Sequence, residues 1–263
     1  MQIKLIITDL DNTLLRRDKS ISEYTADVLL RCQRVGILIA FATARYFRTV
    51  EEWILPNISF YPDIVISDNG GYAYRGKDVL YSATFTPETG NNLIDMIRKH
   101  GGAVTAATDT VRYCERPIEK SHLPFSVPYD FSGKLTENFH YIDARGIDID
   151  TVRTISDKFP EIRYEVYNDS PLVTFLHKDA QKGIALRMII KKLKLLPSEV
   201  IGFGDDANDL AFLKVCGIKI AVLNAIDSVK SAADYICGDC DNDGVARWIE
   251  KNVFLKSKHT LFR

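Results

Sequence analysis

Short apolar runs, each closed by a polar turn, recur along the chain, and three of them stop at a residue able to do chemistry. Ile3 to Ile7 leads to Asp9, Ile37 to Ala42 leads to Thr43, and Val200 to Gly204 leads to Asp205. Runs this short and continuous predict strands of a parallel sheet buried on both faces. Ile64 to Ser67, which precedes Asp68-Asn69-Gly70-Gly71, and Ile218 to Val222 add two more. Between the first two runs, Ser22 to Val35 carries Ala26, Val28, Leu29 and Leu30 and closes on Gly36, the pattern of a crossover helix. Strand, helix, strand predicts a doubly wound α/β sheet.

The middle of the chain has another rhythm. Thr86-Pro87-Glu88 combines an N-cap, a proline at the first helical position and an early acid, and that helix should stop at Gly101-Gly102. Ala103 to Ala107 and Val111 to Cys114 read as strands. Asp150 then caps a helix reaching Phe159, and Arg163 to Tyr167 with Leu172 to His177 read as two further strands. The expectation is a pair of helix-strand-strand units inserted at residues 83–180, between core halves at 1–82 and 181–263.

Composition agrees with an ordinary globular protein of one large domain or two smaller ones. Of 263 residues, 46% are hydrophobic and 26% charged, which excludes disordered and collagen-like classes. A net charge of -1 gives no global field to recruit nucleic acid or an anionic membrane. The longest uncharged apolar stretch, Gly36 to Ala44, is far short of a membrane span. Asp9 and Asp11 arrive before a signal-peptide core could be completed, so a cytoplasmic protein is expected. Oligomeric state is left open. Cys237 and Cys240 form C-x-x-C with no second pair for zinc and no thioredoxin-like helix after it.

In open parallel sheets ligands bind beyond the carboxyl ends of the strands, where the strand order reverses. Asp9, Asp11, Thr43 and Asp205 would gather there. Several carboxylates in one crevice repel one another unless a cation joins them, and hard oxygen ligands suit Mg2+. Each acid could instead cap a loop or helix, but that accounts poorly for acids recurring at strand ends.

Four segments together resemble the motifs of the haloacid dehalogenase superfamily of phosphatases: Asp9-Leu10-Asp11-Asn12-Thr13, Thr43-Ala44-Arg45, Lys182-Gly183, and Gly204-Asp205-Asp206-Ala207-Asn208-Asp209. Their order and spacing are similar to the Cof-type branch (class IIB), with a large α/β cap between the second and third motifs and a Rossmann-like core. The resemblance implies a Mg2+-dependent phosphomonoester hydrolase acting on small phosphorylated metabolites such as sugar phosphates. Asp9 would be the nucleophile, forming an aspartyl-phosphate, and Asp11 the acid that protonates the leaving oxygen and then activates water. Asp9, the backbone carbonyl of Asp11 and Asp205 would hold the cation. Leu10, Thr43, Ala44, Lys182 and Asn208 would bind the phosphate, with Asp209 orienting Lys182 or metal-bound water. Alanine stands at 44 where the family more often has glycine, which narrows the backbone freedom but keeps the amide donor. Lys182 opens the helix pattern ending at Leu193, where a positive charge opposes the helix dipole, so a functional role outweighs that of a surface lysine.

Two rival motifs suggest other classes. Gly202-Phe203-Gly204-Asp205-Asp206-Ala207, with Asp227 beyond, fits the dinucleotide-binding G-x-G-x-x-A of an oxidoreductase, although its aspartates would repel a pyrophosphate. Asp239, Asp241, Asp243, Gly244 and Glu250 fit the EF-hand pattern of a Ca2+-binding regulatory module. Against this, Asp234 to Cys237 reads as a last strand, and Asp243-Gly244 with Val245, Trp248, Ile249 and Val253 reads as an N-capped amphipathic helix. The tail with Lys256, Lys258, His259 and Arg263 reads as a solvated end.

Overall fold

The computed structural model describes residues 2–115, 126–166 and 172–255. The tail cations and Tyr167 lie outside the described residues. By its contacts the chain divides into two compact units: Met1–Arg45, Ile54–Tyr81 and Gln181–Arg263 form one, and Tyr46–Trp53 with Ser82–Ala180 the other.

In chain order the strands are β1 (Leu5–Asp9), β2 (Leu38–Ala42), β3 (Ile64–Ser67), β4 (Tyr72–Arg75), β5 (Asp78–Ser82), β6 (Ala103–Thr108) and β7 (Arg112–Cys114). There follow β8 (Ser126–Pro128), β9 (Phe139–Arg145), β10 (Ile162–Val166), β11 (Leu172–His177), β12 (Val200–Gly204), β13 (Ile218–Ala221) and β14 (Tyr235–Ile236).

The first unit holds a sheet ordered β14-β13-β12-β1-β2-β3-β4-β5. β1 runs parallel to both neighbours, with Leu5 opposite Val200 and Leu38, and Asp9 opposite Ala42. Leu5, Ile6, Ile7, Ile39, Phe41 and Phe203 have no exposed surface, as continuous apolar runs between covering helices require. The chain winds outward from β1 in one direction and from β12 in the other, so the strand order reverses between them. The fold is the expected α/β class, a Rossmann-like doubly wound parallel core with an inserted α/β unit. No helix among the described residues is long and apolar enough to cross a membrane.

The second unit holds a sheet ordered β10-β11-β9-β6-β7-β8, antiparallel except for the parallel β7–β8 pair. The central strand, β9, is absent from the sequence-based expectation. Its Ile142 and Ala144 join Val104, Ala106, Val173 and Phe175 in the apolar cluster, while Tyr141, Asp143 and Arg145 alternate onto the other face, so no apolar run marks it. Leu93, Ile94 and Ile97 of the helix Pro87–Lys99 and Val152 and Ile155 of the helix Ile149–Ser156 cover the apolar face.

Local chemistry corrects two helix boundaries. Thr86 caps the helix Pro87–Lys99 as expected, its hydroxyl accepting from Thr89 N at 3.2 Å. The later helix is capped by Asp148, not Asp150, because Asp148 Oδ1 accepts from Thr151 N at 2.8 Å, and it ends at Ser156 rather than Phe159. Near the C-terminus, Asp243 precedes the helix Gly244–Ile249 but does not cap it with its side chain.

Candidate active site

The switch point between β1 and β12 gathers the chemistry-bearing residues of the first unit. Asp9 ends β1, Asp205 follows β12, and Asp209 returns beneath them from the turn Ala207–Asp209. A carboxylate oxygen from each of the three lies within 4.8 Å of the others. Gly204 permits this fold-back, since a Cβ there would stand 2.7 Å from Asp209 Cβ.

Lys182, first residue of the helix Lys182–Leu193, is buried in this cluster. Its Nζ donates to Asp9 Oδ1 at 2.6 Å and to Asp209 Oδ1 at 2.8 Å. Asp209 Oδ2 accepts from the amides of Asp205 at 2.9 Å and Asp206 at 3.1 Å, so both its oxygens are engaged. Thr13 Oγ1 donates to Asp205 Oδ1 at 2.6 Å. One ammonium thus faces three carboxylates. Burial pushes the Asp9 carboxyl well above the usual range, Lys182 opposes this, and Asp209 and Asp205 add to the rise. Burial raises Asp205 to about 6, against the Thr13 hydroxyl and with Asp209 and Asp206 adding repulsion. For Lys182 burial disfavours the cation, but Asp209 and Asp9 hold its pKa above the usual value.

This imbalance favours a bound cation. Asp9 and Asp205 each have one oxygen, Oδ2, to which no side chain or amide among the described residues donates. Hard oxygens with excess negative charge, partly dried by burial, suit a divalent cation.

Asp11 is held differently. Arg45 grips its carboxylate with two bonds, Nε to Oδ2 and Nη2 to Oδ1, both 2.7 Å, and Lys19 Nζ lies 2.9 Å from Oδ1. Burial alone would raise the Asp11 pKa, yet Arg45 and Lys19 outweigh it and bring it down to about 2. In this arrangement, with Arg45 and Lys19 in place, that group is an ionised carboxylate near neutral pH.

Thr43 is buried at the end of β2, where its Oγ1 accepts from Arg45 N at 3.1 Å, and Ala44 is exposed at the same turn. Leu10 is buried, and its carbonyl accepts from Leu15 N at 2.8 Å, closing the loop after β1. Asn208 Nδ2 donates to Asn69 Oδ1 at 3.4 Å. Asn69 was not singled out from the sequence, nor were Thr13, Lys19 and Arg45 given roles. Gly70, at φ +94°, lets this turn press on the start of the lysine's helix: a Cβ would lie 2.1 Å from Gln181 C and 2.2 Å from Lys182 N. Gly70→Ala is therefore expected to cost about 2 kcal/mol or more and to reduce turnover by displacing Lys182. Urea denaturation with steady-state kinetics checks this; a neutral effect on both would contradict it.

The rival motifs do not assemble their sites. Arg17 Nη1 lies 3.2 Å from Asp239 Oδ1 and also pairs with Asp241, Asp243 takes Arg16, Ser22 and Thr25, and Glu250 takes Tyr24 and Arg31. Asp239, Cys240 and Asp241 are close together, but the Arg17 guanidinium sits on both carboxylates, and burial pushes the Cys240 thiol up to about 11. At the G-x-G-x-x-A turn, Asp209 fills the space beside Gly204 that a dinucleotide phosphate needs. The cysteines are unpaired and buried.

Comparison with known proteins follows the same lines. Residues 6–249 match the model of a family described as haloacid dehalogenase-like hydrolase. The 5-amino-6-(5-phospho-D-ribitylamino)uracil phosphatase YcsE of Bacillus subtilis is 28% identical, over 95% of this chain and 95% of that protein. A haloacid dehalogenase-like hydrolase from Bacteroides thetaiotaomicron shares the fold with a TM-score of 0.80 at 24% identity, covering 95% of this chain and 99% of that one. The HAD subclass IIB sugar phosphatase BT4131 does so with a TM-score of 0.75 at 21% identity, covering 94% and 98%. The chain belongs to the haloacid dehalogenase-like hydrolase family, in its Cof-type branch, and is a hydrolase of phosphate esters.

Proposed function

We propose that the protein is a Mg2+-dependent phosphatase of small phosphorylated metabolites, sugar phosphates among them, working through an aspartyl-phosphate on Asp9. The observation that carries this reading is the excess of carboxylate over ammonium at the switch point, with Asp9 and Asp205 each keeping one oxygen open. Asp9, Asp205 and the backbone carbonyl of Asp11 would hold Mg2+, which supplies charge neutralisation that lets a carboxylate approach a phosphate dianion. Lys182, fixed by Asp209, neutralises the attacking side chain and then the phosphoryl group it carries. Thr43, the amides of Leu10 and Ala44, and Asn208 hold the phosphate oxygens. Sugar-like leaving groups depart as alcohols, so a proton must reach the leaving oxygen.

Asp11 can supply that proton only once Arg45 and Lys19 release it. We infer that the substrate phosphate draws these two cations away, returning Asp11 to a range where it donates and then accepts a proton. The inserted unit, with boundaries near 83–180, supplies recognition of the rest of the substrate. Buried unpaired thiols fit a reducing compartment such as the cytoplasm.

Metal removal is the test. Exhaustive chelation is expected to abolish phosphate release and Mg2+ to restore it, while the apo-protein keeps its circular dichroism spectrum because its core needs no metal. Full activity after chelation, or a strict demand for Ca2+, would overturn the reading.

A further inference from the structure

The turn that joins β3 to its antiparallel neighbour β4 is more strained than a chain reversal requires. Asp68, Asn69 and Gly70 stand at φ of 53°, 54° and 94°, three successive residues in the left-handed region. A tight hairpin needs at most two such residues. A non-glycine residue there persists only where its surroundings fix it, and such strain concentrates at functional sites. A turn that only reverses the chain also belongs at the surface. Here Ser67 and Asp68 have no exposed surface, and Asn69 is 5% exposed.

Three segments of the candidate site fix this turn, and all of the residues concerned belong to the first unit. Asp68 N donates to Arg45 O at 2.9 Å and Asn69 N to Thr43 O at 3.1 Å, which bonds the turn to the loop after β2. Gly70 lies against the start of the helix Lys182–Leu193, so closely that a Cβ would stand 2.2 Å from Lys182 N. The Asn69 side chain reaches the third segment, its Oδ1 accepting from Asn208 Nδ2 at 3.4 Å. That bond matters for what Asn208 can do. A carboxamide has two N–H donors at one end and an acceptor oxygen at the other, so a half-buried Asn208 could turn either end to an anion. An amide turned the wrong way would set its oxygen against that of Asn69. The Asn69 acceptor thus holds the donor end of Asn208 in place, with one N–H engaged and one left.

We propose that Asn69 is a positioning residue for phosphate binding: its side-chain oxygen orients the Asn208 amide, so that the second N–H of Nδ2 donates to a phosphate oxygen. The strained, buried turn holds Asn69 where it can do so. The inference rests on the phosphatase reading, in which Asn208 holds the phosphate, and adds to it the residue that aims Asn208.

A double-mutant cycle on p-nitrophenyl phosphate with Mg2+ tests this, using Asn69→Gly, Asn208→Ala and the two together. Glycine adopts φ 54° without strain, so Asn69→Gly removes the side chain and keeps the turn. It should lower kcat/KM about threefold or more and raise the inhibition constant of inorganic phosphate by a similar factor, the scale of one hydrogen bond. A smaller effect on either would overturn the proposal. Asn208→Ala should lower kcat/KM at least as far, and Asn69→Gly added to it should cost no more than about twofold further, because no amide is left to orient. A larger further loss in the pair would overturn the proposal, since a turn that only supports the site loses the same factor whether or not Asn208 is present. So would an Asn208→Ala protein as active as the wild type. If Asn69→Gly does not fold, Asn69→Ser takes its place in the cycle: its hydroxyl is one bond shorter than the amide oxygen, and the same outcomes decide. No phosphate release from p-nitrophenyl phosphate by the folded wild type would defeat the phosphatase reading and this inference with it. Release, with losses that multiply in the pair, would defeat the inference alone.

Discussion

Asp9→Asn is expected to lower turnover of any phosphate ester by about 10⁴-fold or more, the scale of losing a hydrolase nucleophile, while the metal-free melting temperature holds or rises. The amide oxygen can still accept from Lys182 Nζ, which now lies 2.6 Å from Asp9 Oδ1, so the shape of the site survives. What disappears is the nucleophilic oxygen and one charge in a crowded cluster. Burial, with Asp209 and Asp205 behind it, raises the folded pKa of Asp9. A carboxylate raised in this way gives its full stability below its unfolded pKa of about 3.9 and loses it as pH climbs through the folded value. At neutral pH the neutral amide therefore removes a cost. Phosphate release and thermal melting in EDTA measure both halves; a folded variant with activity within about tenfold of wild type would rule out Asp9 as nucleophile.

Lys182→Met carries the largest expected stability loss, about 3–5 kcal/mol near pH 7, because it strands two buried carboxylates that share one ammonium. Methionine fills a similar volume, so the loss reports charge rather than a cavity. With Lys182 gone, Asp9 loses the cation that opposes its raised pKa and binds a proton more readily in the folded state, so the deficit should shrink as pH falls toward 5 and grow as it rises. Urea denaturation of the metal-free protein at both pH values checks this. A loss below about 1 kcal/mol at pH 7, the scale of a surface pair, or one that deepens in acid, would contradict the role given to the lysine.

The core was legible because parallel strands buried on both faces appear as unbroken apolar runs ending at the switch point, as Leu5–Asp9 and Val200–Gly204 do. β9 was not, since half of its residues face the polar side. Segment Tyr46–Trp53 belongs with the second unit by contacts that no local pattern announces. At the site, Asp9 and Asp205 could be named from their places at strand ends, Lys182 and Asp209 from the resemblance of their motifs, and the structure brings these four together. The Arg45 clamp on Asp11 and the Thr13 bond to Asp205 join residues 34 and 192 positions apart, and spacing does not show which side chains meet across such distances. Asn69 and Gly70 did leave a signal, a glycine-rich turn directly after an apolar strand. The EF-hand pattern illustrates the opposite failure: every position matches, yet Arg16, Arg17 and Arg31 occupy the acids that a calcium ion would need.

Asp9 is expected to carry the phosphoryl group during turnover. Rapid acid quench of a single turnover with Mg2+, followed by mass spectrometry of the peptide containing Asp9, tests it most directly. A phosphoryl group on Asp9 is expected to form before free phosphate appears and to decay as it accumulates. A phosphoryl group on another residue, or phosphate released at the full rate with Asp9 unmodified at every time point, would contradict it.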